Sequence, residues 1–143
     1  MATYVPINAT AFKAVIENEM GFGEIYIDGT YERVWERKIP NTNYSVRVFS
    51  SIVNNCTRDV GEDAIRVTLF NLITERPIAV EKRVNRTLNA LSNMKERARD
   101  VWRYAIDKNN KCPECGDLLV PRKGKYSEFV GCNNFPSCKH IKK

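Results

Sequence analysis

Histidine is nearly absent: His140 is the single one in 143 residues. Most Ser–His and Cys–His nucleophile pairs are thereby excluded, because they lack the base that activates them. The seven glycines include no G-x-x-x-x-G-K or G-x-G-x-x-G run, so no loop is built to cradle a phosphate chain. None of the six tyrosines stands in a recognisable nucleophile context. No apolar run approaches the roughly 20 residues of a membrane-spanning helix. The first residues, Met1-Ala-Thr-Tyr-Val5, lack the basic and apolar regions of a secretion signal. The expectation is a protein with no membrane partner, in the cytoplasm, whether nucleoid-associated or within an infected cell. Internal repeats and low-complexity tracts are missing too.

Cysteine is scarce until residue 112, with Cys56 alone before it and without a partner by spacing. Cys56 reads as a small buried or half-buried residue. The other four, Cys112, Cys115, Cys132 and Cys138, follow C-x2-C-x16-C-x5-C. Two thiolate pairs on tight turns supply the tetrahedral sulfur shell that Zn²⁺ prefers. Pro113, Gly116, Gly131 and Pro136 set the turns. Two disulfides are the competing reading, but a CPxCG knuckle with no signal peptide ahead of it favours metal. His140 follows Cys138 too closely to chelate the same ion easily and reads as a solvated tail residue.

Between the pairs, Asp117-Leu-Leu-Val120 and Glu128-Phe-Val130 are strand-like runs separated by the basic turn Pro121-Arg122-Lys123-Gly124-Lys125. The whole is a zinc ribbon. CPxCG, a Leu–Val run, a basic loop, an aromatic and then Gly131-Cys132-Asn-Asn-Phe135-Pro-Ser-Cys138-Lys139 resemble the four-cysteine zinc finger at the C-terminus of type IA DNA topoisomerases. The x5 spacing of the second pair is at the long end of that family's range. The resemblance implies structural zinc and stacking of single-stranded DNA bases on Tyr126, Phe129 and Phe135, with Arg122, Lys123, Lys125 and Lys139 completing the site. A purely structural knob docked on a protein of replication, repair or transcription is the alternative. The chain is too short for a strand-passing topoisomerase core, so that activity is not expected with the ribbon.

Net charge is +6 and unevenly spread: −4 over residues 1–36, +6 over 37–110 and +4 over 111–143. An acidic front with a basic remainder suggests a polyanionic partner on one side. Length and 43% hydrophobic content allow one modest core plus the ribbon. The division expected is a domain over residues 1–107, a polar linker at 108–111 and the ribbon at 112–143.

Phe12, Val15, Ile16 and Met20, with Gly21 as a stop, predict a short amphipathic helix. A strand over 23–27, a two-residue turn at Asp28-Gly29 and a return strand over 30–39 follow. Alternation along the return strand sets Tyr31, Arg33, Trp35 and Arg37 against Glu32, Val34, Glu36 and Lys38. The next strand sets Tyr44, Val46, Val48 and Ile52 against Ser45, Arg47, Phe49 and Ser51. Residues 53–63 read as a loop. A strand over 64–70 turns Ile65, Val67 and Leu69 one way, and Ile78–Val84 follows Pro77 as an edge strand. From 87 to 107, Leu88, Leu91, Met94, Ala98, Val101, Trp102 and Ala105 form a helical apolar stripe. The fold class is therefore α+β: an antiparallel sheet flanked by a short and a long helix, then the ribbon.

If the long helix covers the Val46–Val48 face, the opposite face presents Arg47, Phe49, Arg66 and Phe70, joined by Tyr31, Arg33, Trp35 and Arg37. Aromatics interleaved with arginines make a platform for single strands, each stacked base contributing roughly 1–3 kcal/mol. A second layer over that face would make the same residues core. Asp28, Glu36 and Lys38 also fit D-x7-E-x-K, similar to the motif of restriction-endonuclease-like nucleases, which would use Mg²⁺ on the carboxylates. The sequence thus favours a non-catalytic protein that binds nucleic acid, single-stranded DNA foremost. A Mg²⁺-dependent nuclease and a protein adaptor are the alternatives.

Overall fold

The computed structural model describes residues 9–29, 32–50, 63–85 and 89–142. Tyr31, Ile52, Cys56, Leu88 and nearly all of the loop expected at 53–63 lie outside them. The fold is α+β.

Helix α1 (Ala9–Lys13) passes directly into a π-helical turn, Ala14–Glu19. The wider turn is seen in the Met20 N–H, which donates to the Val15 carbonyl at 2.9 Å. It brings Phe12, Ile16 and Met20 onto one buried face, and Gly21 (φ 76°) then reverses the chain.

Five strands follow in an antiparallel sheet whose spatial order is the sequence order: β1 (Gly23–Ile25), β2 (Arg33–Lys38), β3 (Tyr44–Ser50), β4 (Asp63–Asn71) and β5 (Arg76–Asn85). Pro77 lies in β5, which is an edge strand where a missing N–H is tolerated. The β1–β2 pairing ends at Ile25↔Val34. Asp28 and Gly29 therefore sit within a wider turn, not at the apex of a two-residue hairpin, and the register moves accordingly.

Register also corrects the face assigned to β2. Trp35 pairs with Val48, and Val48 with Val67, so Arg33, Trp35 and Arg37 share the face of the core and not that of Arg47 and Phe49. Trp35 is 0% exposed, packed edge-on against Phe12 with ring centroids 5.1 Å apart. Its Nε1–H donates to Glu17 at 3.0 Å, which satisfies the one polar atom that burial would otherwise strand.

Helix α2 (Ala90–Ile106) covers this face, burying Ala90, Met94, Ala98, Val101 and Ala105. A 3₁₀ turn, Lys108–Asn110, leads into the ribbon, whose strands β6 (Leu119–Lys123) and β7 (Glu128–Cys132) pair antiparallel. The tail lies beside β7: Cys132 N–H donates to the His140 carbonyl at 3.0 Å and Lys142 N–H to that of Val130 at 2.8 Å.

Beyond the linker expected at 108–111, the ribbon is docked on the sheet and α2. Leu118 and Val120, both fully buried, belong to the same apolar cluster as the sheet and α2. The Tyr104 hydroxyl donates to the Leu119 carbonyl, and Ala79 N–H on the edge of β5 donates to Asn133 Oδ1 at 3.1 Å. Among the described residues no helix is long and apolar enough to cross a membrane.

Candidate metal centre and nucleic-acid interface

The two knuckles bring all four ribbon sulfurs within 4.8 Å of one another. Cys112 Sγ lies 3.7 Å from Cys138 Sγ and Cys115 Sγ 3.3 Å from Cys132 Sγ. A disulfide would hold these atoms at about 2.05 Å. A tetrahedron with Zn–S bonds of about 2.3 Å has edges of about 3.8 Å, so the spacing fits zinc. In the first knuckle Cys112 N–H donates to the Asp117 carbonyl (2.7 Å) and Gly116 N–H to that of Cys112 (3.0 Å), the latter with Gly116 at φ 80°. In the second, Cys138 N–H donates to the Asn134 carbonyl (3.0 Å) and Asn134 N–H to Cys132 Sγ (3.4 Å).

Without a cation two of these thiols resist ionisation. Burial, then the neighbouring sulfurs, push the Cys132 thiol far up, and burial raises Cys115 as well. Cys112 is lowered despite its burial, because backbone N–H groups of Cys115 and Glu114 point at it. Four mutually repelling thiolates need a dication to coexist, and the all-sulfur donor set suits Zn²⁺. His140 is not among these ligands; its ring nitrogen lies 3.6 Å from Glu114.

Beside the metal centre, Arg122, Lys123, Phe129, Phe135 and Lys139 line one groove of about 390 Å³, together with His140 and Ile141. Arg122 and Phe129 are cross-strand partners. The Arg122 guanidinium donates to the Cys132 carbonyl at 3.0 Å and sits 5.7 Å from the centre of the Phe135 ring. Phe135 is 57% exposed, an aromatic face offered to solvent beside cations. Tyr126, 90% exposed, stands outside the groove with Lys125 5.5 Å from its ring centre. Five of the seven ribbon residues expected from sequence are thus gathered in the groove. Ile141 and His140 were not expected there, since their place depends on the tail returning along β7.

The outer sheet face does carry Arg47, Phe49, Arg66 and Phe70, but its guanidinium groups are already engaged. Arg47 lies 3.5 Å over Phe70 and 2.8 Å from Glu36. Arg66 lies 4.7 Å from the Phe49 ring centre, 2.6 Å from Glu32 and 3.3 Å from Glu81. Each aromatic face meets an arginine and each of those arginines a carboxylate, so the surface is close to charge-balanced. On the covered face Arg33 is bound to Glu24 by two contacts of 2.6 Å. That pairing holds the Glu24 carboxyl below its ordinary range. Arg37 is exposed at the margin of the helical layer, its ring partner being Trp102.

Glu36 pairs with Gly23 at the start of β1 and is bound by Arg47 and by Ser45 Oγ (2.9 Å), whereas Asp28 lies three residues beyond the last paired residue of β1.

Residues 109–143 match the family described as topoisomerase DNA binding C4 zinc finger. A DNA topoisomerase 1 of Methanothermobacter thermautotrophicus is 62% identical over 29 residues, 20% of this chain and 4% of that protein. That of Mycoplasmoides gallisepticum is 55% identical over 40 residues, 28% of this chain and 5% of its own. The Escherichia coli protein YrdD is 38% identical over 39 residues, 27% of this chain and 22% of its own. The chain therefore spans 4–5% of the length of these two topoisomerases, and the likeness is confined to the ribbon. No solved structure matches the chain. The C-terminal region is a topoisomerase-type zinc ribbon, and its four cysteines hold structural zinc.

Proposed function

We propose that the chain binds nucleic acid through its ribbon, with single-stranded DNA as the preferred form. The observation that carries this reading is the groove, where the Phe129 and Phe135 rings lie beside Arg122, Lys123 and Lys139 on a zinc-fixed frame. Bases stack on the rings and phosphates meet the cations, while Tyr126 and Lys125 at the hairpin tip extend the contact. Stacking is indifferent to base identity, so sequence preference is weak. The topoisomerase relatives, whose family is described as DNA binding, support the same reading. The sheet face contributes less, because its arginines are bound to Glu32, Glu36 and Glu81.

The test is fluorescence anisotropy of a labelled single-stranded oligonucleotide with the zinc-loaded full chain over a salt series. Duplex and RNA of the same length serve as comparators. Four cation contacts, from Arg122, Lys123, Lys125 and Lys139, give a log–log salt slope of about −3. Phe135→Ala weakens binding several-fold, while Phe49→Ala has little effect. Full affinity in both Phe135→Ala and Lys139→Ala removes the groove from consideration.

A further inference from the structure

A second cleft, of about 380 Å³, opens between the π-helical turn and α2 and shares no lining residue with the ribbon groove. Arg37, Lys95, Arg99 and Trp102 line it, with Glu19 the one carboxylate among its lining residues. Each cation is differently placed. Lys95 is 3.1 Å from Glu19. Arg37 is fixed by donating to the Met20 carbonyl at 2.8 Å, and its guanidinium rests 4.8 Å from the centre of the Trp102 ring. Arg99 is exposed and, among the described residues, has no carboxylate partner. Three cations against one carboxylate leave the cleft net positive, and a concave surface focuses that field on whatever enters.

The floor is of another character: Met20, Phe22 and Ala98 are buried apolar side chains, and Trp102 is half-buried. The Arg37 guanidinium over the Trp102 ring gives this floor a cationic tier, and guanidinium groups are among the surfaces on which bases stack. A π-helical turn, rare and often found at functional sites, forms one wall through Glu19. An apolar, planar floor with cations at its rim, in a cavity of this size, suits a planar aromatic ring carrying an oxyanion.

We propose that this cleft binds a nucleoside monophosphate, with its base on the Arg37–Trp102 tier and its phosphate between Arg99 and Lys95. Two sources offer that chemistry, a free mononucleotide and the 5′-phosphorylated end of a strand. The second would place a strand terminus in a cleft that shares no lining residue with the ribbon's sequence-indifferent grip.

Trp102 provides the readout, since the other tryptophan, Trp35, is fully buried in the core. Intrinsic fluorescence of the zinc-loaded full chain is titrated with adenosine 5′-monophosphate and with adenosine. A short oligonucleotide bearing either a 5′-phosphate or a 5′-hydroxyl is then tested in the same way. Expected is saturable quenching by the monophosphate and by the phosphorylated strand, and little by adenosine. Arg99→Ala weakens it by about tenfold, one charged hydrogen bond's worth. Arg76→Ala, an exposed cation that lines neither cleft, leaves monophosphate binding unchanged. Quenching by the phosphorylated strand alone assigns the site to strand ends, quenching by the free monophosphate alone assigns it to mononucleotides, and quenching by both shows that the cleft reads the 5′-phosphate group the two share. No saturable change with any phosphorylated ligand, or equal affinity in Arg99→Ala, overturns the proposal without touching the ribbon groove.

Discussion

The hydroxyl of Tyr44, at the start of β3, donates to Asp117 Oδ1 at 3.0 Å, joining the sheet to the residue that closes the first zinc knuckle. The same carboxylate oxygen accepts from Asn71 at 3.3 Å and from the Leu118 N–H at 2.8 Å. Asp117 gives its carbonyl to Cys112 N–H at 2.7 Å. One buried residue thus holds a metal ligand with its backbone and two strands with its side chain. A buried carboxylate is tolerated because three donors compensate for its lost hydration.

Tyr44→Phe removes one of those donors and leaves the ring. The expected loss is about 1–2 kcal/mol, read as a melting point lowered by roughly 5 °C. Alkaline pH carries a second signature. Burial first, then the Asp117 charge, hold the Tyr44 phenol well above its ordinary value. As pH rises past about 10 the unfolded chain releases this proton and the folded chain keeps it, so stability falls. Urea unfolding between pH 9 and 11.5 therefore shows a steeper loss in the natural protein than in Tyr44→Phe. Parallel slopes would mean that the phenol titrates alike in both states.

Zinc removal is expected to weaken the whole fold. Leu118 and Val120 fill the core beneath the sheet and α2, and their side chains each contribute about 1.5–3 kcal/mol when fully buried. The knuckle that positions them folds on its metal. A chelator should lower a single melting transition by roughly 10 °C or more, followed by near-ultraviolet circular dichroism. Two transitions, the upper one unchanged, would show a ribbon that folds alone.

Trp35→Ala is expected to act on stability. Removing a buried aromatic that packs on Phe12 and binds Glu17 costs about 3–5 kcal/mol, measurable by denaturant titration. At a temperature where variant and natural protein are both folded, oligonucleotide affinity should agree within about twofold, less than a stacked base contributes. A folded variant with much weaker binding would return Trp35 to the interface.

The fate of Trp35 marks what could be read from sequence. The ribbon was legible to the residue, since a thiolate quartet on turn-forming neighbours leaves few alternatives. Alternation in β3 and β4 was legible because Val46, Val48, Val67 and Leu69 contrast sharply with Arg47 and Arg66. In β2 each face mixes apolar and charged residues, with Trp35 between two arginines on one and Val34 beside Glu36 on the other. Only pairing with Val48 decides between them, and that register follows from a wider turn around Asp28 and Gly29 than the Asp-Gly pair suggested. Docking of the ribbon was hidden for a related reason. Leu118 and Val120 read equally well as the ribbon's own small core, and the donors that fix Asp117 lie 46 and 73 residues away.

Gly131 provides a test of the groove that leaves cations and aromatics in place. A Cβ there would lie 3.2 Å from Phe129 Cε2 and 3.5 Å from Arg122 Cδ, closer to the ring than side chains normally approach. The opposite edge of the ring is bounded by Gly124, whose own Cβ would meet Phe129 Cδ1 and Cε1 at 3.2 Å. The ring therefore occupies a slot between two glycines and must tilt to admit a methyl group. Gly131 lies within β7 opposite Val120 and without a positive φ, not in a knuckle turn as the sequence suggested, so in Gly131→Ala zinc content should stay at one per chain by metal analysis. Single-strand affinity should fall about three- to tenfold, part of one stacked base. Intact zinc with undiminished affinity would mean that the Phe129 ring is packing for the hairpin and that bases are held by Phe135 and Tyr126 alone.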